Sequence, residues 1–354
     1  MHCYVGTYTD QDSDGIYVMS YDQESGSFGV PRLAAELPNP SFLELHPSRE
    51  FLYAISEARE HGKRTGGFVT AFRIEGGSGG LVRLNSESTG SPGPCHVSVH
   101  PAGRAVFATN YSGGTIAALR LEEDGSLRGR TASILHEGNS VNPDRQEAPH
   151  PHSMQSDPSG TFALAADLGA DRLYVYRVDD AAGLAPAATP YFSTDPGSGP
   201  RHFAFHRAGN GMRVYLINEL ANTVDVLDYD ETSGNMKRIQ GVTTLPAGWE
   251  GESTTAEVRV HPGGRFLYGS NRGHDSIAVF EIDPADGLLT SVDHTASGGG
   301  HPRNFCIDPA GMFLVVANQD SDNLVVMRID LDSGKLTPTG TEATVSRPVC
   351  VRFL

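Results

Sequence analysis

The chain has 354 residues with 27 Lys+Arg against 43 Asp+Glu, a formal net charge of −16. An acidic balance of this size excludes a nucleic-acid backbone as the main partner, and it repels small anions unless cations are gathered locally. No secretory apolar region occupies Met1–Tyr8, and no apolar run approaches the roughly 18 residues that cross a membrane, so a cytoplasmic location is expected.

In chain order, one pattern returns. The stretch Pro94 to Leu121 reads PCHVSVHPAGRAVFATNYSGGTIAALRL, three alternating apolar runs broken by HPAG and NYSGG. Period-2 alternation interrupted by Pro/Gly turns specifies an antiparallel meander rather than a helix. The first run of the unit begins at Pro40, Pro94, Pro151, Pro200, Thr255, Pro302 and Pro348, spaced 46 to 57 residues apart. A turn follows six residues on, at His46-Pro47, His100-Pro101, Asp157-Pro158, His206-Arg207, His261-Pro262 and Asp308-Pro309. A second run, a third run, a polar turn such as LEEDGSL and a short fourth strand complete each copy. That spacing suits propeller blades and exceeds most solenoid repeats.

The ends complete each other. HCYVGTY (2–8) aligns with the second runs, GIYVMSYD (15–22) with the third runs, and PVCVRFL (348–354) with the first. The expectation is an all-β, seven-bladed propeller of four-stranded blades. One blade is shared between the termini, which removes the open sheet edge. The 41 glycines and 22 prolines fit that many turns. The whole of residues 1–354 is then one domain, and a closed ring without a repeated outer apolar face predicts a monomer.

Stacking the copies converts columns into rings around the channel mouth. One ring holds Ser41, Cys95, His152, Arg201, Ala256, Arg303 and Val349; the next holds Phe42, His96, Ser153, His202, Glu257, Asn304 and Cys350. The ends of the second runs bring Glu57, Tyr111, Leu168, Glu219, Arg272, Gln319 and Tyr8, beside an Asn-rich column that includes Asn110. Long charged side chains converging on a narrow channel are costly unless paired or liganded. One explanation is an ion-pair network that locks blades, Glu219 with Arg272 for instance. The other is acid–base chemistry on an anion, with His152, Arg201, Glu219 and Arg272 as catalytic groups. The Asn column is explained by strand-end geometry alone.

Two connections break the rhythm. HEGNSVNPDRQEAPHPHS (136–153) carries Arg145, Gln146 and three histidines into the third blade, and a long loop inside a regular repeat is commonly functional. His150 and His152 lack a third ligand at a defined spacing, so no metal site is read there. LPAGWEGESTT (245–255) holds the only tryptophan, Trp249, either as site wall or as packing. Four cysteines (Cys3, Cys95, Cys306, Cys350) sit in strand runs without metal-ligand spacing and read as free thiols. Asp10, Asp12 and Asp14 imitate a calcium loop, but Tyr21 stands where the bidentate Glu belongs. The one GxSxG string, GGSGG (76–80), is a glycine-rich turn and not a nucleophile elbow, and neither Walker A nor HExxH occurs, so serine-hydrolase, P-loop and zinc-peptidase chemistries have no support.

The repeat layout, the run 136–153, and the segments NYSGG, GPRH and SNRGHDSI resemble the lactonase family of seven-bladed propellers across essentially the whole chain. That family contains propeller-type 6-phosphogluconolactonases and carboxymuconate-lactonising enzymes. The resemblance implies a cofactor-independent enzyme acting on a small anionic lactone, with His152 in HPHS, Arg201 in GPRH, Glu219 in NEL and Arg272 in SNRG at the active site. His96, His150, Asn110, Arg303 and Arg145 are expected as further substrate contacts. His152 and Glu219 both remain candidates for the base. Lactone closure on a carboxymuconate and a non-catalytic interaction platform are the alternative readings, because a fold alone does not fix function.

Overall fold

The computed structural model describes residues 1–57, 60–61 and 64–354. Among the described residues seven four-stranded antiparallel sheets form the ring, Glu60–His61 and Arg64–Thr65 make a two-stranded one, and there is no helix. Blade two shows the common plan: Pro94–Val99 pairs with Ala105–Asn110, then Thr115–Leu121, then Leu127–Leu135. Blades three to six repeat it from Pro151, Pro200, Thr254 and Pro302. The shared blade forms as expected: Pro348–Phe353 pairs with His2–Thr7, which pairs with Gly15–Ser20 and then Arg32–Glu36. In blade one the first strand is only Leu43–Leu45.

Two expectations of detail are corrected. The outer strands are not short: Leu184–Ser193 has 10 residues and Leu127–Leu135 has 9, against 6 in most inner strands. Outer strands lie where the ring is widest and have room to run. In blade four the chain does not turn at His206-Arg207. The strand runs on to Ala208 and pairs with Gly211, so HRAGNG forms a longer hairpin than HPxG.

The core consists of apolar layers between neighbouring blades. Phe162, Leu164 and Leu173 of blade three meet Phe203, Val214 and Leu216 of blade four, and Phe266 and Tyr268 of blade five meet Phe305, Leu314 and Val316 of blade six. This is why both faces of the middle strands are apolar. The histidines of the His-Pro turns latch one blade to the next. His46, His100 and His261 each donate through Nε2 to a glycine carbonyl of the following turn, at Gly103, Gly160 and Gly311, over 3.2, 3.0 and 2.8 Å. Each Nδ1 accepts a backbone N–H two residues on, which sets the tautomer.

Gly103 has a φ of 66°, and a Cβ there would lie 2.3 Å from His46 Nε2. Gly103→Ala is therefore expected to destabilise by about 1–3 kcal/mol through left-handed strain and a displaced latch, read as a lowered thermal midpoint.

The inner strands have one further feature that shapes the channel. Pro94 pairs with Asn110 but His96 with Thr109, Pro151 with Asp167 but Ser153 with Ala166, and Pro200 with Asn218 but His202 with Ile217. The same slip occurs in blades five, six and seven. Each strand thus opens with a β-bulge whose extra residue is Cys95, His152, Arg201, Arg303 or Val349, or in blade five falls within Ala256–Glu257. A bulge re-aims a side chain. Consecutive residues, Arg201 and His202 for example, therefore both line the channel.

Candidate active site

At the end of the channel where the first strands begin, a pocket of roughly 260 Å³ is lined by Glu57, Cys95, Tyr111, Arg145, His152, Glu219, Arg272 and Arg303. Glu219, 2 % exposed, is its hub. Its Oε1 accepts from Arg145 Nη2 at 2.6 Å; its Oε2 accepts from Arg201 Nε at 2.9 Å and faces Arg272 Nη2 at 3.0 Å. Burial pushes the Glu219 carboxyl up, but the guanidiniums of Arg272, Arg201 and Arg145 outweigh burial and hold it well below the usual carboxylate range.

His152 sits beside this carboxylate, with Nε2 4.0 Å from Glu219 Oε2, longer than a hydrogen bond. Burial first, then the charges of Arg201, Arg303 and Arg272 together with His202, push the imidazole well below its ordinary value. At neutral pH His152 is therefore an uncharged ring with a lone pair to offer. The Cys95 thiol, 3.9 Å from His152 Nδ1, is pushed up to about 12 by burial and stays protonated. It is not a thiolate nucleophile.

The four guanidiniums are not equivalent. Arg201, 2 % exposed, lies beneath the pocket in the channel's neck, and besides Glu219 its guanidinium donates to the Ala256 carbonyl and approaches His202. Arg272 also donates to the Thr255 carbonyl at 2.7 Å, and Arg145 also donates to the Tyr111 hydroxyl at 3.2 Å. Arg303 lies 5.5 Å from the centre of the Tyr8 ring, lines the pocket, and makes no hydrogen bond or ion pair with a described residue. Against Glu57 and Glu219, the four arginines leave a local positive excess within an acidic protein.

The long connection before blade three brings in Arg145. Its turn is closed by Gln146 N donating to Asn142 O at 2.8 Å, and the buried Gln146 side chain donates to Leu168 O at 2.9 Å. Asp167 anchors both ends, accepting from His136 Nδ1 at 2.7 Å and from the His150 amide at 2.8 Å.

Of the residues expected at the site, His152, Glu219, Arg272, Arg145 and Arg303 are brought to one pocket, with Arg201 directly behind it. His150 stacks on the outer side of Tyr111, at 4.5 Å, and does not line the pocket. Asn110 is fully buried and closes its hairpin by donating to Thr115 Oγ1 at 2.8 Å. His96 lies past the neck, in the other half of the channel. Trp249 is exposed and stands edge-on to His274, outside the pocket lining. Tyr111, Glu57 and Cys95 line the pocket as well; the sequence signal for them is the aligned columns, where Cys95 neighbours His152 and where Glu57 and Tyr111 share a ring with Glu219 and Arg272.

A family model described as a seven-bladed β-propeller lactonase matches residues 2–353. A 6-phosphogluconolactonase of Bacillus subtilis (strain 168) is 38% identical over 351 residues, covering 99% of this chain and 97% of that one. Among solved structures, a periplasmic gluconolactonase of Pseudomonas aeruginosa is 35% identical with a TM-score of 0.93, covering 100% of this chain and 98% of that one. A protein of Bacteroides fragilis, described as a 6-phosphogluconolactonase by inference, is 32% identical with a TM-score of 0.92, covering 100% and 97%.

Proposed function

The chain belongs to the family of seven-bladed β-propeller lactonases, and from that premise we propose that it hydrolyses 6-phosphogluconolactone to 6-phosphogluconate in the pocket around His152. The observation that carries this reading is a neutral imidazole beside a carboxylate already neutralised by three guanidiniums, with a fourth, that of Arg303, hydrogen-bonded to no described residue. His152 is the general base and Glu219 is not, because a carboxylate held by three cations has little affinity for a proton.

Arg303 anchors the phosphate, since the other arginines are engaged by Glu219. His152 takes a proton from water as the water oxygen bonds to the lactone carbonyl carbon. Arg272 stabilises the oxyanion that develops. When the ring C–O bond breaks, the proton on His152 passes to the departing ring oxygen, which leaves as a hydroxyl. The carboxylic acid formed then ionises and gives its proton to solvent. Every step uses a group of this chain, so turnover is expected to be independent of a metal ion. Support for the substrate class comes from the relatives' names and from the positive pocket in a protein of net charge −16.

The test is hydrolysis of freshly generated 6-phosphogluconolactone, measured against its spontaneous rate in chelator. Acceleration that survives chelation is expected. In the same assay Arg303→Met should raise KM about tenfold to a hundredfold while changing kcat much less, the pattern of a lost ground-state anion contact. An unchanged KM would remove Arg303 from the anchor role. No acceleration on this lactone would overturn the substrate assignment.

A further inference from the structure

Beyond the neck the channel opens again into a chamber of roughly 330 Å³. Glu44, His96, His202, Glu257, Arg259 and Arg352 are among its walls, and the hydrolytic reaction uses none of them. Its carboxylates and its guanidiniums are unequally satisfied. Glu257 is saturated: Oε1 accepts from His202 Nδ1 at 3.3 Å and from the Val258 amide at 3.1 Å, and Oε2 accepts from Asn304 Nδ2. Glu44 Oε1 accepts from the Leu45 amide at 3.1 Å.

The cations face these carboxylates only at long range. Arg259 Nη2 is 3.6 Å from Glu257 Oε2, and Arg352 Nε is 3.5 Å from Glu44 Oε2, both beyond a normal hydrogen bond. Each guanidinium carries five N–H donors. Arg259 makes no hydrogen bond to a described residue, and Arg352 makes a single one, from Nη1 to the Val351 carbonyl at 2.8 Å. Arg352 is 5 % exposed and held over the Phe42 ring at 4.7 Å, so its Nε is a buried donor with no acceptor. The Ser153 hydroxyl in the same wall is buried and likewise unpartnered. Buried donors without acceptors are rare and costly.

We propose that this chamber is a second binding site, separate from the lactone pocket, for a small oxyanion gripped between Arg352 and Arg259. Phosphate and carboxylate groups share the needed chemistry, two or more oxygens that accept from planar guanidinium forks. His96 and His202 are held uncharged by burial, His202 at about 4, so at neutral pH the chamber's positive charge is that of its guanidiniums.

The experiment is calorimetric titration of inorganic phosphate into the full chain carrying Arg303→Met, which weakens the lactone pocket. One phosphate per chain is expected to remain bound, and adding Arg352→Met, whose stem still covers Phe42, should weaken it at least about tenfold. Arg259→Met gives an independent variant, because the Arg259 side chain is partly exposed and its guanidinium donates no hydrogen bond to a described residue. Gluconate titrated in the same background separates the sources. Binding of phosphate alone identifies a phosphoryl ligand, and binding of both identifies any small oxyanion. Absence of binding in Arg303→Met, or an affinity unchanged by both Arg352→Met and Arg259→Met, would overturn the site.

Discussion

His152→Ala is expected to lower kcat on 6-phosphogluconolactone by about 10²–10⁴-fold while leaving the thermal midpoint close to that of the parent. The reasoning separates chemistry from scaffold. His152 occupies a bulge and makes no strong hydrogen bond through its ring: its polar contacts are 3.9 Å to Cys95 and 4.0 Å to Glu219, and the ring otherwise stands edge-on to Tyr111 and His202. Its removal deprives water of a base without releasing a buried charge.

The pH profile supplies a second readout. The base form is the active one, and burial among Arg201, Arg303 and Arg272 places its protonation below the ordinary histidine value. Catalysis should hold from neutral pH down past 6.5, then fall as pH drops through the depressed value. An acid limb at or above 6.5 would contradict the environment assigned to this ring, and retained kcat in the alanine variant would remove it from the mechanism.

Much of this architecture was legible in the sequence because blades repeat. Once Pro94, Pro151 and Pro200 are aligned, their neighbours must lie in one ring, and closure of 348–354 onto 2–8 follows from period-2 register. The bulges were not legible. Strict alternation sends Arg201 and His202 to opposite faces, and only an extra residue against Asn218 and Ile217 lets both face the channel. Nor were the partnerships legible. Columns say which residues share a ring, but whether a guanidinium pairs with a carboxylate, as in Arg201, or with none among the described residues, as in Arg303, depends on distances that no spacing encodes.

Arg145 shows the same limit. Its loop is recognisable as an insertion, yet its reach to Glu219 depends on Gln146 and Asp167 holding that loop in place. The ring of Glu44, Arg259 and Arg352, two residues further along the inner strands, follows from the same period-2 alignment.

The second large effect is expected at Glu219. If this carboxylate were the base, Glu219→Gln would be a near-isosteric change that abolishes turnover and leaves stability intact. The geometry leads to the opposite expectation. Arg201 is 2 % exposed, and Arg145, Arg201 and Arg272 all converge on the one carboxylate. Removing its charge leaves buried cations without their counterion, a loss of about 3–5 kcal/mol.

Three readouts follow from that loss. The thermal midpoint falls, and inorganic phosphate raises it more in the variant than in the parent, because an anion bound among the arginines replaces the missing charge. The acid limb of the pH profile moves to still lower pH: a negative charge 4.0 Å from His152 had favoured the imidazolium, and without it protonation requires more acid. Turnover falls because Arg272 loses the carboxylate that positions it toward the oxyanion, not through a missing base, so a reduced but measurable kcat remains. A Glu219→Gln chain with parental stability, no phosphate response and no detectable kcat would transfer the role of base from His152 to Glu219.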